Sequence, residues 1–249
     1  MTFSTYEQNF ADMLTGLGAT AVAGEQGGID AIRFANGSAV AWRAPPSAEP
    51  GTREAHLVAR MVQIAADGHG KIAKIAGDPD RSPDWKAREV EKIAAATNAA
   101  FAAVKVEAEK LVADFAALDA KEAVPPALAP GDASGAILDH EIRDRVHAMT
   151  PADHAALAQR LTDGECPRVI EALLRSPFGL PKGVLADIVP RAYLDLQAKR
   201  DPQTARLRTA ARERVEFLAD RTQQIATVLP ALSPAQRQGA EIARAMAGR

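Results

Sequence analysis

The sequence holds a single cysteine, Cys166, so no internal disulfide framework braces it, and that count fits a reducing compartment. Aromatic residues make up only 4% of the chain against a hydrophobic share of 47%, because alanine supplies much of the apolar content. Each buried alanine removes little apolar area from water. Such a chain therefore draws stability from helix length, repetition or association rather than from a thick core. No run approaches the roughly 20 apolar residues that span a bilayer. The opening Met1-Thr2-Phe3-Ser4-Thr5-Tyr6-Glu7 has neither a basic nor an apolar stretch, so neither export by a signal peptide nor membrane embedding is expected. Net charge is scarce as well, at −2 with a pI near 6.2, which leaves no global field to draw the chain onto nucleic acid or an acidic membrane.

What is present reads as helix, and the expected fold class is mainly α. A long coiled-coil-like helix, a compact helical bundle and one small N-terminal β-hairpin are its parts. Residues 6–17 place Phe10, Met13, Leu14 and Leu17 at helical spacing. From Ala31 the period changes: Ile32, Phe34, Val40 and Trp42 alternate around Asn36-Gly37, a strong short hairpin signal. A lone hairpin is marginal, so it must lie on a helix, join another subunit's sheet, or pair with residues near Ala21 to Ala23. Pro45, Pro46 and Pro50 then break the chain before a helix over residues 52–76, where Gly68 and Gly70 are candidate kinks.

Ser82-Pro83 opens the most informative stretch, because Ser is a favoured N-cap and Pro at the first helical position loses no hydrogen bond. Val90, Thr97, Val104, Leu111 and Leu118 fall on heptad position a, and Ala94, Phe101, Ala108 and Phe115 on d. The seam made by Val90, Thr97, Phe101, Val104, Leu111, Phe115 and Leu118 demands a mate. An intramolecular hairpin with residues 52–76 and self-association satisfy it equally well. Pro125-Pro126 end the helix, and the Pro-, Ala- and Gly-rich residues 124–134 read as a linker. The expected division is 1–50 for the first helix and hairpin, 51–124 for the long helical segment and 135–249 for a C-terminal helical domain. Thr150-Pro151, Asp201-Pro202 and Ser233-Pro234 each open a helix there, and Pro190 is expected to kink the one over residues 184–199.

Local motifs for chemistry fail on inspection. Asp78, Asp80, Ser82 and Glu89 have the spacing of a calcium loop, but Pro83 stands where the sharp turn needs glycine, and an Asp-Pro turn feeding an N-cap explains the same residues. His140, His147 and His154 recur at sevens, whereas ligands on one helix face need spacings of three or four, so solvated histidines are expected. Gly68-His69-Gly70-Lys71 lacks the first glycine and the Ser or Thr of a phosphate loop. Cys166 precedes Pro167 and has no assigned base, so a partly buried thiol at a helix start is expected. No metal and no cofactor is expected.

Residues 191–221 carry eight Arg and Lys against five acids, which makes Arg206, Arg208, Arg212 and Arg214 candidates for nucleic-acid contact. A solvated basic helix face is the competing explanation.

In the second half, the succession Ile142-Arg143, Met149-Thr150-Pro151-Ala152-Asp153, Leu157, Gly164, Val169-Ile170, Leu173-Leu174, Ser176-Pro177, Leu180, Arg191-Ala192-Tyr193 and Pro202 resembles a pattern in helical proteins of tailed bacteriophages and prophages. Those proteins are uncharacterised products of structural genes. The likeness covers residues 139–202, consists of helix punctuation and apolar spacing, and carries no functional residue. It implies a non-enzymatic virion structural or assembly protein, in the virion or the host cytoplasm, whose partners are itself or other virion proteins. The alternative is a nucleic-acid-binding or regulatory accessory protein using the basic helix.

Overall fold

The computed structural model describes residues 4–24, 28–43, 45, 47, 48 and 51–231. Among them are eight helices and one small antiparallel sheet, so the fold is mainly α. The chain divides into two compact units, Met1–Ala113 with Ala210–Arg249, and Asp114–Thr209. This division differs from the expected one. The cuts fall inside two long helices, and the Pro-rich residues 124–134 lie within the second unit rather than between domains.

The first unit begins with α1 (Thr5–Gly16), closed at its N-terminus by a capping box between Ser4 and Glu7. Burial alone would raise the Glu7 carboxyl. Hydrogen bonds from Ser4 and from the Ile29 amide outweigh it and hold the group below its ordinary value. Strands β1 (Thr20–Ala23), β2 (Ile29–Arg33) and β3 (Ala39–Ala41) pair in the order β1-β2-β3, with Ala21 opposite Ile32 and Ile32 opposite Val40. The expected hairpin is thus the second half of a three-stranded sheet, and its missing partner is the stretch around Ala21 to Ala23. Asn36-Gly37 form its turn: Gly37 takes φ 83°, and Asn36 Oδ1 accepts from the Ser38 amide at 3.1 Å. A register shift between Val22 and Ala23 explains why both Ile29 and Ile32 are buried despite their odd spacing.

Helix α2 (Arg53–Ala76) is continuous through Gly68 and Gly70, which do not end it. Both glycines permit close approach. A Cβ on Gly68 would meet Thr97 Oγ1 at 2.5 Å, and one on Gly70 would run into the Leu17 carbonyl oxygen. His69 between them is buried, tilted against the Phe34 ring, and its Nε2 lies 2.6 Å from the Val228 carbonyl oxygen.

Helix α3 (Pro83–Glu122) is the long helix that Ser82-Pro83 announces. Its residues Phe101, Val104 and Ala108 join a core that includes Leu14, Ile32, Val58 and Met61, together with Phe217, Leu218 and Ile225 of α8 (Pro202–Val228).

The second unit holds α4 (Ala133–His147), α5 (Pro151–Thr162), α6 (Pro167–Leu174) and α7 (Val184–Arg200). Helix α7 packs on α5 and α6, and α4 on α6. Their shared core is built from Val146, Leu157, Leu161, Ile170, Leu173, Leu185, Val189 and Tyr193. Helix α7 runs through Pro190, and Thr150 opens α5 as expected, closing a capping box with Asp153. The helix expected at Ser233-Pro234 lies outside the described residues.

Candidate functional site

Helix α4 turns an acid inward. Residues 139, 142/143 and 146 lie along one face, and they are Asp139, Ile142, Arg143 and Val146. Val146 and Ile142 meet the apolar core, whereas Asp139 is 1% exposed, and Ile137 and Leu138 are left outside at 60% and 44%. A buried carboxylate is tolerable only when paired. Asp139 is held by Arg175 at 3.0 Å and by Arg168 of α6 at 2.7 Å. The Arg168 contact is an ion pair without hydrogen-bond direction, since Asp139 Oδ1 accepts no hydrogen bond.

Arg175 extends the cluster. It donates to Glu171 at 3.0 Å and to the Pro126 carbonyl at 2.9 Å, and Glu171 in turn holds Arg200 of α7 at 3.3 Å. The bond to Pro126 ties the Pro-rich segment to the bundle, which is why that segment does not behave as a free linker. Beside the cluster opens a cleft of about 500 Å³, lined by Val124, Pro125, Ala127, Leu128, Ala136 and Leu174 and by three polar side chains, Asp139, Arg143 and Arg175. It is an open cleft with apolar walls and three polar side chains on one side of the cluster.

Sequence reasoning passed over this arrangement. The spacing of Asp139 with Val146 on one face of α4 is the signal the sequence carries for it. The histidines do not gather. His140 pairs with Asp144 at 3.3 Å on an exposed face, and His154 Nε2 lies 2.8 Å from the Val146 carbonyl oxygen. No group of three or more His, Cys, Asp or Glu placed to hold a metal occurs among the described residues. At the rejected calcium loop, Asp78 accepts the Asp80 amide and Ser82 the Trp85 amide, the turn and cap that the simpler reading gives. Cys166 is half-buried at the start of α6 with φ 56°, and Arg160 donates to its Sγ at 3.1 Å.

The expected seam on α3 divides. Thr97, Phe101 and Val104 are buried, together with Ala94 and Ala108; Leu111 is half-buried against the same core, and Val90 and Phe115 are half-buried. Leu118 is 53% exposed. The mate for residues 94–108 is this chain's own α2 and α8, so the intramolecular alternative holds there. The basic residues divide too. Arg208 faces Asp119 at 2.7 Å and Glu122 at 3.7 Å, while Arg214 faces Glu54 at 3.7 Å. Arg206 and Arg212 are exposed. Arg208 and Arg214 are thus ion-paired within the chain.

Large apolar side chains that face solvent concentrate in the second unit: Leu118, Val124, Ile137, Leu138, Phe178, Val184 and Leu207, with Phe178 at 93%. Among the described residues of the first unit only Val22 and Val106 are in this class. No helix of the described residues is long and apolar enough to cross a membrane. Comparison with protein-family models, with curated proteins and with solved structures finds no match for the chain.

Proposed function

We propose that the chain is a non-enzymatic structural or assembly protein, of the kind tailed bacteriophages and prophages encode, that works by self-association and contacts with other virion proteins. Residues 114–209 present the contact surface. The observation that carries this reading is the concentration of exposed apolar side chains there, Phe178 and Ile137 foremost. Isolated exposed hydrophobes are ordinary, but seven of the nine large ones among the described residues belong to this unit, which favours it as the side that meets a partner. A net charge of −2 opposes the meeting of two copies only weakly. The helical punctuation of residues 139–202 supports the phage assignment, and the virion or the host cytoplasm is then its location.

Light scattering over a concentration series tests the proposal. The mass should rise above 26.3 kDa as concentration increases. Phe178→Ser and Ile137→Ser should each weaken association by about tenfold or more, the equivalent of one well-buried apolar side chain. Val106→Ser, an exposed position of the first unit, should leave it unchanged. A mass of 26.3 kDa at every concentration overturns the proposal.

A further inference from the structure

We propose that the cleft beside Asp139 is a binding site for a small carboxylate with an apolar body. The inference goes beyond the assembly reading, and a chain that never associates would still show it. The cleft of about 500 Å³ falls within the range of small-molecule sites. Val124, Pro125, Leu128 and Leu174 give it apolar walls, so a ligand bound there must carry a hydrocarbon portion to displace water from them.

The charge of the cleft selects the other end of the ligand. One carboxylate, Asp139, and two guanidiniums, Arg175 and Arg143, line it, while Arg168 and Arg200, outside the lining, pair with Asp139 and Glu171. Asp139, the one acid lining the cleft, is held from two sides by Arg168 and Arg175 and has little attraction left for a cation. Arg143 differs from the other three. It lines the cleft, is half-buried, and its hydrogen bond is a long one of 3.3 Å from Nη1 to the Ala172 carbonyl, a neutral acceptor. A guanidinium has five N–H donors in a planar fork, and a carboxylate is the group that matches that fork with two parallel bonds. The position also explains why Arg143 stands on the inward face of α4, where an aliphatic side chain would pack at less cost.

Isothermal titration calorimetry of the full chain with octanoate, octanol and octylammonium tests the assignment. Octanoate should bind saturably and at least about tenfold more tightly than either of the others. Arg143→Gln keeps the length of the stem near its backbone and removes the charge, and it should lose about tenfold or more of octanoate affinity. Ala136→Trp, at an exposed position on the cleft wall, should abolish binding by occlusion with every charge in place. Far-UV circular dichroism of both variants should match wild type, since neither substitution orphans a partner in the Asp139 cluster. Three results overturn the proposal: no saturable octanoate binding, octanol or octylammonium binding as tightly as octanoate, or octanoate affinity that survives both substitutions.

Discussion

Replacing three helical glycines by alanine probes how closely the first unit is packed, because the same chemical change meets three different surroundings. In each case alanine gains up to about 1 kcal/mol of helix propensity over glycine. At Gly16, where a Cβ meets nothing within 4 Å, that gain should stand nearly alone, reduced because the position is the last of α1. At Gly68 the new methyl meets the Thr97 side chain, with Oγ1 at 2.5 Å and Cγ2 at 2.7 Å. Thr97 is β-branched and its Cβ lies at 3.1 Å, so rotation about χ1 relieves only part of the strain and Gly68→Ala should fall slightly below wild type. At Gly70 the obstacle is the Leu17 carbonyl, main chain in the turn between α1 and β1 that cannot move without shifting both. Overpacking against backbone costs about 1–3 kcal/mol, so Gly70→Ala should be a net loss of roughly 1–2 kcal/mol.

Urea unfolding followed by tryptophan fluorescence measures this, since both tryptophans, Trp42 and Trp85, belong to the first unit and the second unit is silent in that signal. The expected order of stability is Gly16→Ala above wild type, Gly68→Ala slightly below it and Gly70→Ala lower still. Gly70→Ala at or above wild-type stability would refute the close approach of α2 to the Leu17 turn.

Phe101→Asp, at a side chain 3% exposed in the first core, should unfold the first unit in circular dichroism and fluorescence, whereas Leu118→Asp at 53% exposure should alter stability by no more than about 0.5 kcal/mol. Asp139→Ala leaves Arg168 and Arg175 without their shared counter-charge, and the second unit should lose about 3–5 kcal/mol in denaturant unfolding followed by far-UV circular dichroism. The Glu7 carboxyl is held below its ordinary value, so its ionised form stabilises the fold above that ordinary value, and the contribution disappears as pH falls through the folded one. Wild type should therefore melt above Glu7→Ala at neutral pH, and the two should converge in acid.

Legibility followed the range of the interactions. Pro at first helical positions and the Asn36-Gly37 turn are decided by residues three or four apart, and Thr150, Pro83 and Gly37 behave as their local sequence directs. The heptad stripe of α3 located a buried face but not its mate, because Phe101 and Val104 fit a second copy as well as they fit Val58 and Phe217 of the same chain. A stripe has no address. The third strand was harder to read because Thr20–Ala23 is short and largely exposed, without the alternation that marks β2 and β3.

The cleft and its charge cluster were hidden for a different reason. Asp139 lies far along the chain from Arg168 and Arg175, and only the packing of α4 on α6 brings them together. An inward acid also inverts the usual rule, placing Ile137 and Leu138 in solvent, so apolar periodicity points away from the true register of α4. Gly68 and Gly70 likewise carry no local sign of the close contacts they permit.

Hydrogen exchange measured at low and high protein concentration tests the central claim, that residues 94–108 of the α3 stripe are covered within their own chain and that association is left to the second unit. Amides of residues 94–108 should show the same protection at both concentrations, while those of α4 and of the segment around Phe178 should slow as concentration rises. Protection that grows along residues 94–108 and stays constant around α4 and Phe178 would contradict it.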